Sequence, residues 1–582
     1  MAITKVTGGL LGNYPVGNNN VVIGDTAFDS VTTASNNTII GNAAGTAITE
    51  SNFNTAIGSG ALTAQVTGGR NVAIGHGSLD ADTTGGRSTA VGFGSLGSQN
   101  FTGSDITGNT AVGYNSTSTN TTGTNNTAIG YESLTANTTG SNNTVVGSLS
   151  LDANTTGASN TAIGKQALTT STTGSFNTAV GTGSLALSTT ASNNTAVGYD
   201  AMVANTTGTQ NVAVGALALD ANTTTSDSVA VGYAALSTAT IGSNTAVGSE
   251  AMQYTTTGVN NVGVGLQALR ANTTGTANVA LGAYALDANT SSASNTAIGY
   301  SALSSNTTAE NNTAVGRNAM VANTTGAQNT AVGRLALTAN TTGSQQTAVG
   351  NEALSSVTTS SNNTALGHQA GAEVTTGGAN TIIGYDACSY QNNLTTGGDN
   401  VYIGAFARPS AATVSNEIGI GRYVLSQGTA TATLGISGNG ATISIDGSDT
   451  SWAAHSDERL KENITTSSAG LSFINDLRPV TYTWKAKNAI SKDFKNYYDA
   501  DSTDPVNGVA GKTYHGFVAQ EMKATIDAHS EVANGNNLWT ERLDDIQQLA
   551  PGNLIPMLTK AVQELSTQVD ELKAEIITLK GE

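Results

Sequence analysis

The residues in this chain best placed to do chemistry are a serine and a lysine, in the run Ser456-Asp457-Glu458-Arg459-Leu460-Lys461-Glu462. A serine hydroxyl becomes a nucleophile when a base removes its proton. A lysine takes that proton only in its neutral form, which burial or nearby cations favour. Five positions apart on one helix, two side chains point about 140° away from each other. Ser456 must therefore sit in an extended or capping segment ahead of a helix, or the pair must form between chains. Residue types alone favour a plainer reading, with Ser456 and Asp457 capping a helix that starts at Glu458. Cys388 is the single cysteine, so no intrachain disulfide framework is possible. No metal site and no cofactor are expected.

The material around this pair is of two kinds. Of 582 residues only 11% are charged, against roughly 25% in ordinary globular chains. From Ser456 onward stand 13 of the 22 Lys/Arg and 19 of the 40 Asp/Glu, and all three Trp (Trp452, Trp484, Trp539) follow position 450. A long, nearly uncharged Gly/Asn/Thr/Ala-rich body thus precedes a short end of globular composition. A net charge of −18 with no basic patch argues against nucleic-acid binding. Met1-Ala2-Ile3-Thr4-Lys5 lacks the apolar run of a signal peptide, and no stretch of 18 apolar residues offers a membrane span. The expectation is a chain folded in a cytosol, without membrane insertion.

The body is a repeat. Glycines closing an Asn-Thr-Ala-Val/Ile-Gly block recur 24 times from Gly24 to Gly421, with a step of 17 residues except for single steps of 21, 16 and 20. Such a period marks a stacked array. The residue before the glycine is always Val, Ile or Leu (Ile57, Val112, Ile163), and four positions after it most units carry Leu or Met (Leu62, Leu134, Met202). Two apolar anchors separated by small residues predict two short strands and a bend per unit. Asn-Thr-Thr-Gly would supply the second turn, with Asn and Gly at positive φ. Its Asn-x-Thr triplets read as turns rather than glycan acceptors. No proline occurs from Val16 to Arg408, as an unbroken ladder requires. At about 4.8 Å per coil, 24 coils make a rod roughly 115 Å long. The invariant aliphatic position argues against disorder.

One Val, one Leu and one Ala per coil is a thin core against an ordering cost of about 1–2 kcal/mol per residue. Several copies sharing one interior are therefore expected, a homotrimer first. The row of Ala two places before most of these glycines (Ala56, Ala73, Ala128, Ala162) would let another chain approach closely. Over 20–421 the sequence resembles the head repeats of trimeric bacterial adhesins. That resemblance implies a trimeric parallel β-solenoid, or β-roll, of 24 repeats.

Residues 1–19 are left as an N-terminal attachment segment, and 422–455 read as a β-stem with turns at Gly438-Asn439-Gly440 and Asp446-Gly447. Then follow four blocks: Ser456 to Ile464, Leu477-Arg478-Pro479-Val480-Thr481-Tyr482-Thr483-Trp484, His515-Gly516-Phe517-Val518-Ala519-Gln520-Glu521, and Leu554-Ile555-Pro556-Met557-Leu558. In this order they resemble the auto-processing intramolecular chaperone domain at the C-terminus of bacteriophage tail spikes and fibres of the endosialidase type. The resemblance implies a small α+β domain over 456–582 that trimerises, directs folding of the shaft ahead of it and cuts itself off. It implies a cut at His455–Ser456, with Ser456 and Lys461 as the catalytic pair. Asp457, Arg459, Leu460, His515, Gln520 and Glu521 would be motif residues of the chaperone. Over 553–582, Leu558, Val562, Leu565, Val569, Leu572, Ile576 and Leu579 continue a 3–4 alternation begun at Ile555, a heptad seam for a self-associating coiled coil.

Together these features lead to a homotrimeric phage tail fibre for host attachment, located in the virion and assembled in the bacterial cytoplasm. Its expected partners are its own copies, a virion tail or baseplate protein at the N-terminus, and a host-surface glycan or protein. The alternatives are a spike acting on host polysaccharide and a non-phage trimeric adhesin. The first needs paired carboxylates in a cleft, for which the body is poor in acids; the second needs an export signal and an anchor. Ice binding through Thr rows is a weaker fourth. Autoproteolysis is the only catalysis expected.

Overall fold

A computed structural model describes residues 19–103, 106–437, 439–446, 458, 461–493, 498–507, 509–533, 538–541 and 547–581. The chain forms two compact units, Met1–His455 and Ser456–Glu582. The first is mainly β, a parallel solenoid of 24 coils. Each coil gives one short strand, from β1 (Val21–Ile23) through β7 (Thr127–Ile129) and β8 (Thr144–Val146) to β24 (Glu417–Ile420). Neighbours pair in parallel with no slip: Thr127 faces Thr144, Ala128 faces Val145, Ile129 faces Val146.

Period-2 alternation puts the middle residue of each strand inside. Ala56, Ala73, Ala128 and Ala162 are fully buried within their own coils, so they offer no surface to another chain. The aliphatic residue before the glycine points out instead; Ile129 is exposed. Nor is an interior shared between copies, because strand alanines and the Leu/Met column close one core inside a single chain. The coil is narrow enough for an Ala opposite a Leu to fill it, once polar side chains occupy the rest.

Those polar side chains are asparagines. Asn137 does not turn the chain at positive φ; it is buried, and its amide donates to Gly140 O at 3.0 Å and to Asn120 Oδ1 at 2.8 Å. Asn154 repeats the contact on Asn137 at 2.9 Å. A second column starts before each strand: Asn143 N–H donates to Asn126 Oδ1 at 3.0 Å, and its amide donates to Gly157 O at 3.0 Å. These buried amides satisfy backbone groups that would otherwise lie unpaired in the core, and they are inaccessible as glycan acceptors. Gly140 is needed for space, since a Cβ there would lie 2.3 Å from Gly157 O.

Among the described residues, the second strand expected in each coil is absent. Past the corner glycine, Glu132 (φ 49), Leu134 (φ 53) and Asn142 (φ 61) adopt left-handed backbone. The inter-coil ladder continues regardless, with Leu134 N–H on Ser150 O at 3.0 Å, Ala136 N–H on Asp152 O at 2.9 Å and Thr138 N–H on Thr155 O at 2.8 Å. Each left-handed non-Gly residue costs on the order of 1–2 kcal/mol, a strain that the stacked neighbours must offset.

The ends of the core are filled by larger side chains, Phe28, Ile39 and Ile48 at one end and Leu394 and Tyr402 at the other. In the last coil Glu417 replaces the ladder Asn. Its carboxylate accepts from Tyr402 OH at 2.6 Å, Gly428 N–H at 2.6 Å and Ser410 N–H at 3.2 Å, which ends the amide column. β25 (Thr431–Ile436) adds one more parallel strand and β26 (Asn439–Ser444) returns antiparallel to it. The sheet edge is thus closed by a hairpin.

The second unit is small and α+β. It contains α1 (Leu471–Asn475), β27 (Val480–Tyr482), β28 (Tyr514–Gly516), α2 (Ala519–Ala528), α3 (Ser530–Ala533), β29 (Trp539–Glu541), β30 (Gln547–Leu549) and α4 (Ile555–Lys580). Phe473, Met522, Ile526, Val532, Leu538 and Leu554 form its core. α4 starts with Pro556 in its first turn and stops at Gly581 (φ 73), a residue suited to the left-handed cap.

Candidate functional site

The candidate site is the start of the second unit together with the elements that carry the other sequence blocks. Antiparallel pairing of β27 with β28 sets Thr481 opposite His515, so the second and third blocks are neighbours. Arg478 clamps Glu521 with both arms, Nε to Oε2 at 2.9 Å and a second nitrogen to Oε1. This bidentate bond holds the Glu521 carboxyl below its ordinary value and lifts the Arg478 guanidinium. Both side chains are largely solvated, so the pair aligns the blocks more than it stabilises them.

A second junction is His529, whose Nε2 lies 2.8 Å from Asp476 Oδ2 at the end of α1 and whose Nδ1 lies 2.8 Å from Glu531 Oε1 in α3. Phe473 meets the ring edge-on at 5.5 Å. With a carboxylate on each nitrogen the imidazolium donates twice. The bonds to Glu531 first and Asp476 second push His529 above its ordinary value. Nothing in the sequence signals this junction, because its parts are scattered over 55 residues of chain and share no motif spacing. A third junction joins α1 to α4, where Leu471 N–H donates to Glu564 Oε2 at 2.7 Å.

Of the expected catalytic pair, Lys461 is exposed and its backbone N–H donates to Glu458 O at 3.0 Å. His455, Ser456, Asp457, Arg459 and Leu460 lie outside the described residues. Glu458 lies in a 3₁₀ turn and residues 461–470 form no helix; the capping alternative falls on Ser456 and Asp457, which lie outside the described residues. His515 sits in β28. Gln520 lines an open cavity of about 920 Å³ with Trp484, Ile490, Val518 and Gln547. Leu558, Val562, Leu565, Val569, Leu572, Ile576 and Leu579 are all exposed along α4, from 41% to 85%. Among the described residues no cluster of His, Cys, Asp or Glu is arranged to hold a metal, and no helix is long and apolar enough to cross a membrane.

Residues 456–530 match the family model of the chaperone of endosialidase. The match takes in the first three sequence blocks, with β27, β28 and α2, and ends before Glu531 and α4. No curated protein and no solved structure matches the chain. The chain therefore carries a C-terminal segment similar to an endosialidase chaperone behind a 24-coil solenoid.

Proposed function

We propose that the chain is a homotrimeric tail fibre of a bacteriophage, whose solenoid is the shaft that reaches the host surface and whose second unit is its removable assembly chaperone. The observation that carries this reading is the endosialidase-chaperone match directly behind a repetitive β-shaft. The backbone supplies a physical reason for a chaperone. A lone coil must hold several left-handed residues with no neighbour to bond to, so the first coil is uphill and later coils grow on a formed end. Seventeen-residue repeats also align equally well one repeat out of step, and a seed that joins the copies at one end removes that ambiguity.

Self-removal would use Ser456, on the amine side of its own bond. Its Oγ attacks the His455 carbonyl carbon while Lys461 accepts the hydroxyl proton. The C–N bond breaks as Lys461 passes that proton to the nitrogen, which leaves as the free α-amine of Ser456, and an ester joins the two pieces. Water then hydrolyses the ester, freeing the His455 carboxylate and restoring the hydroxyl. Lys461 is exposed in the single chain; packing against further copies would bring the burial or the cations on which such chemistry depends, and cleavage would then await assembly. The boundary between the compact units falls at this bond.

The test is the intact mass of the purified protein beside that of Ser456→Ala. Fragments 1–455 and 456–582 from the first and an uncut chain from the second are the expected result. An uncut wild-type chain, or a cut Ser456→Ala chain, overturns the proposed chemistry.

A further inference from the structure

Among the described residues, the strand face of the solenoid carries no charge in either of its outward columns in any coil. Its two outward columns hold Thr, Val or Ile three places before the corner glycine, and Val, Ile or Leu one place before it. Other outward columns do carry charge; the position five past the glycine holds Asp80, Asp152, Asp220, Arg270 and Asp287. The aliphatic column is open to solvent in the single chain, with Ile74, Ile129, Ile163, Leu281 and Leu366 exposed by 36% to 48%.

We infer that this strand face is the surface along which copies of the chain pack against one another; the inference rests on the trimeric reading above and says which face is shared. Twenty-four rows at about 4.8 Å, with a width of about 7–10 Å, make a strip of roughly 800–1,100 Å². One of its two columns is Thr in 16 coils, so its apolar part is comparable to the largest apolar patch of a typical monomer, about 300–600 Å². The strip as a whole reaches the roughly 800 Å² that each partner contributes to a stable interface. A second copy is the occupant that fits, because only another array of the same repeat matches the strip row for row along its whole length.

The column just past the glycine completes the picture. It carries Phe93, Tyr114, Tyr131, Tyr300, Arg317 and Arg334 against a single Lys (Lys165) and a single Asp (Asp25), a bias toward the residue types that gather at protein interfaces. Phe93, Tyr114 and Tyr131 stack with ring centroids 5.4 and 5.5 Å apart and planes within 13° of parallel. Their faces therefore cover one another along the column and leave edges outward. A sugar ring lies on an aromatic face, so this stack suits the side of a protein interface and not a glycan platform.

The test places one new thiol on the full-length chain. Ile163→Cys and Val332→Cys put it on the strand face, and Thr190→Cys puts it on the exposed Thr-Thr column; Cys388 is fully buried and the unsubstituted chain sets the baseline. Each protein is treated with a short bis-maleimide and run on a denaturing gel, and its solution mass is measured by light scattering. The expected result is a trimeric mass with conversion of most Ile163→Cys and Val332→Cys chain to linked species, and none for Thr190→Cys. A trimeric mass with no strand-face links, or with links from Thr190→Cys, overturns the face while leaving the trimer standing. A monomeric mass overturns the trimeric reading and this inference with it, and leaves the strip to a different partner.

Discussion

The shaft and the C-terminal unit differ in where they bury their apolar surface. Every coil of the shaft closes its core inside one chain, with strand alanines, the Leu/Met column and both asparagine columns fully enclosed. The C-terminal unit encloses a small core around Phe473 and leaves Trp484, Val509 and the whole α4 seam open. A coil is thus completed by the coils before and after it, whereas the C-terminal unit leaves apolar side chains uncovered among its described residues. A region completed by its own neighbours in sequence needs a starting point, and the proposed self-association of the C-terminal unit would provide one.

The largest expected effect breaks this division of labour. Deleting everything beyond His455 should abolish nearly all soluble β-structured shaft, read by circular dichroism and sedimentation; an undiminished yield of folded shaft would mean that the coils start themselves. Next comes the corner of a single coil. Gly164 has φ 129, and a Cβ there would lie 2.6 Å from the Gly181 carbonyl, so Gly164→Ala should cost more than about 2 kcal/mol. Thermal unfolding of the assembled shaft measures it.

Asn143→Ala should cost about 1–3 kcal/mol, because it leaves Asn160 N–H and Gly157 O without their buried partner. Alanine at exposed Thr139, a position outside the left-handed region, should be near neutral, and equal losses at both would mean that the columns are not what holds the coils together.

The smallest effect belongs to the C-terminal unit. His529 titrates above its ordinary value in the folded state, so the stability it contributes is fully present below the unfolded value of about 6.5 and fades as pH rises through the higher folded value. Melting temperatures of the Ser456→Ala chain at pH 5.5 and 8.5 should show the C-terminal transition fall at the higher pH, and His529→Gln should flatten that slope. A slope that persists in His529→Gln assigns it elsewhere.

What the linear chain determined by itself was periodic or local. The 24 corner glycines mark the coils because a coil that stacks on its neighbour must repeat its tightest point at a fixed interval, and the missing prolines follow from the same ladder. The heptad residues of α4 were equally plain, as were the serine-lysine run and the blocks at Arg478 and Glu521. Only the folded chain decided which side of each strand is inside. Alternation assigns Thr127 and Ile129 to one face and Ala128 to the other, but a Val or Ile ordinarily marks the core, and here the Leu/Met column fills so much of the interior that most coils leave the inward strand position to Ala. The folded chain also decided that asparagines fill the interior, since a buried amide column exists only once the next coil stands 17 residues away. The His529 junction was invisible for a related reason: Asp476 and His529 are distant in sequence, and only the packing of α1 against α2 and α3 brings their charges together.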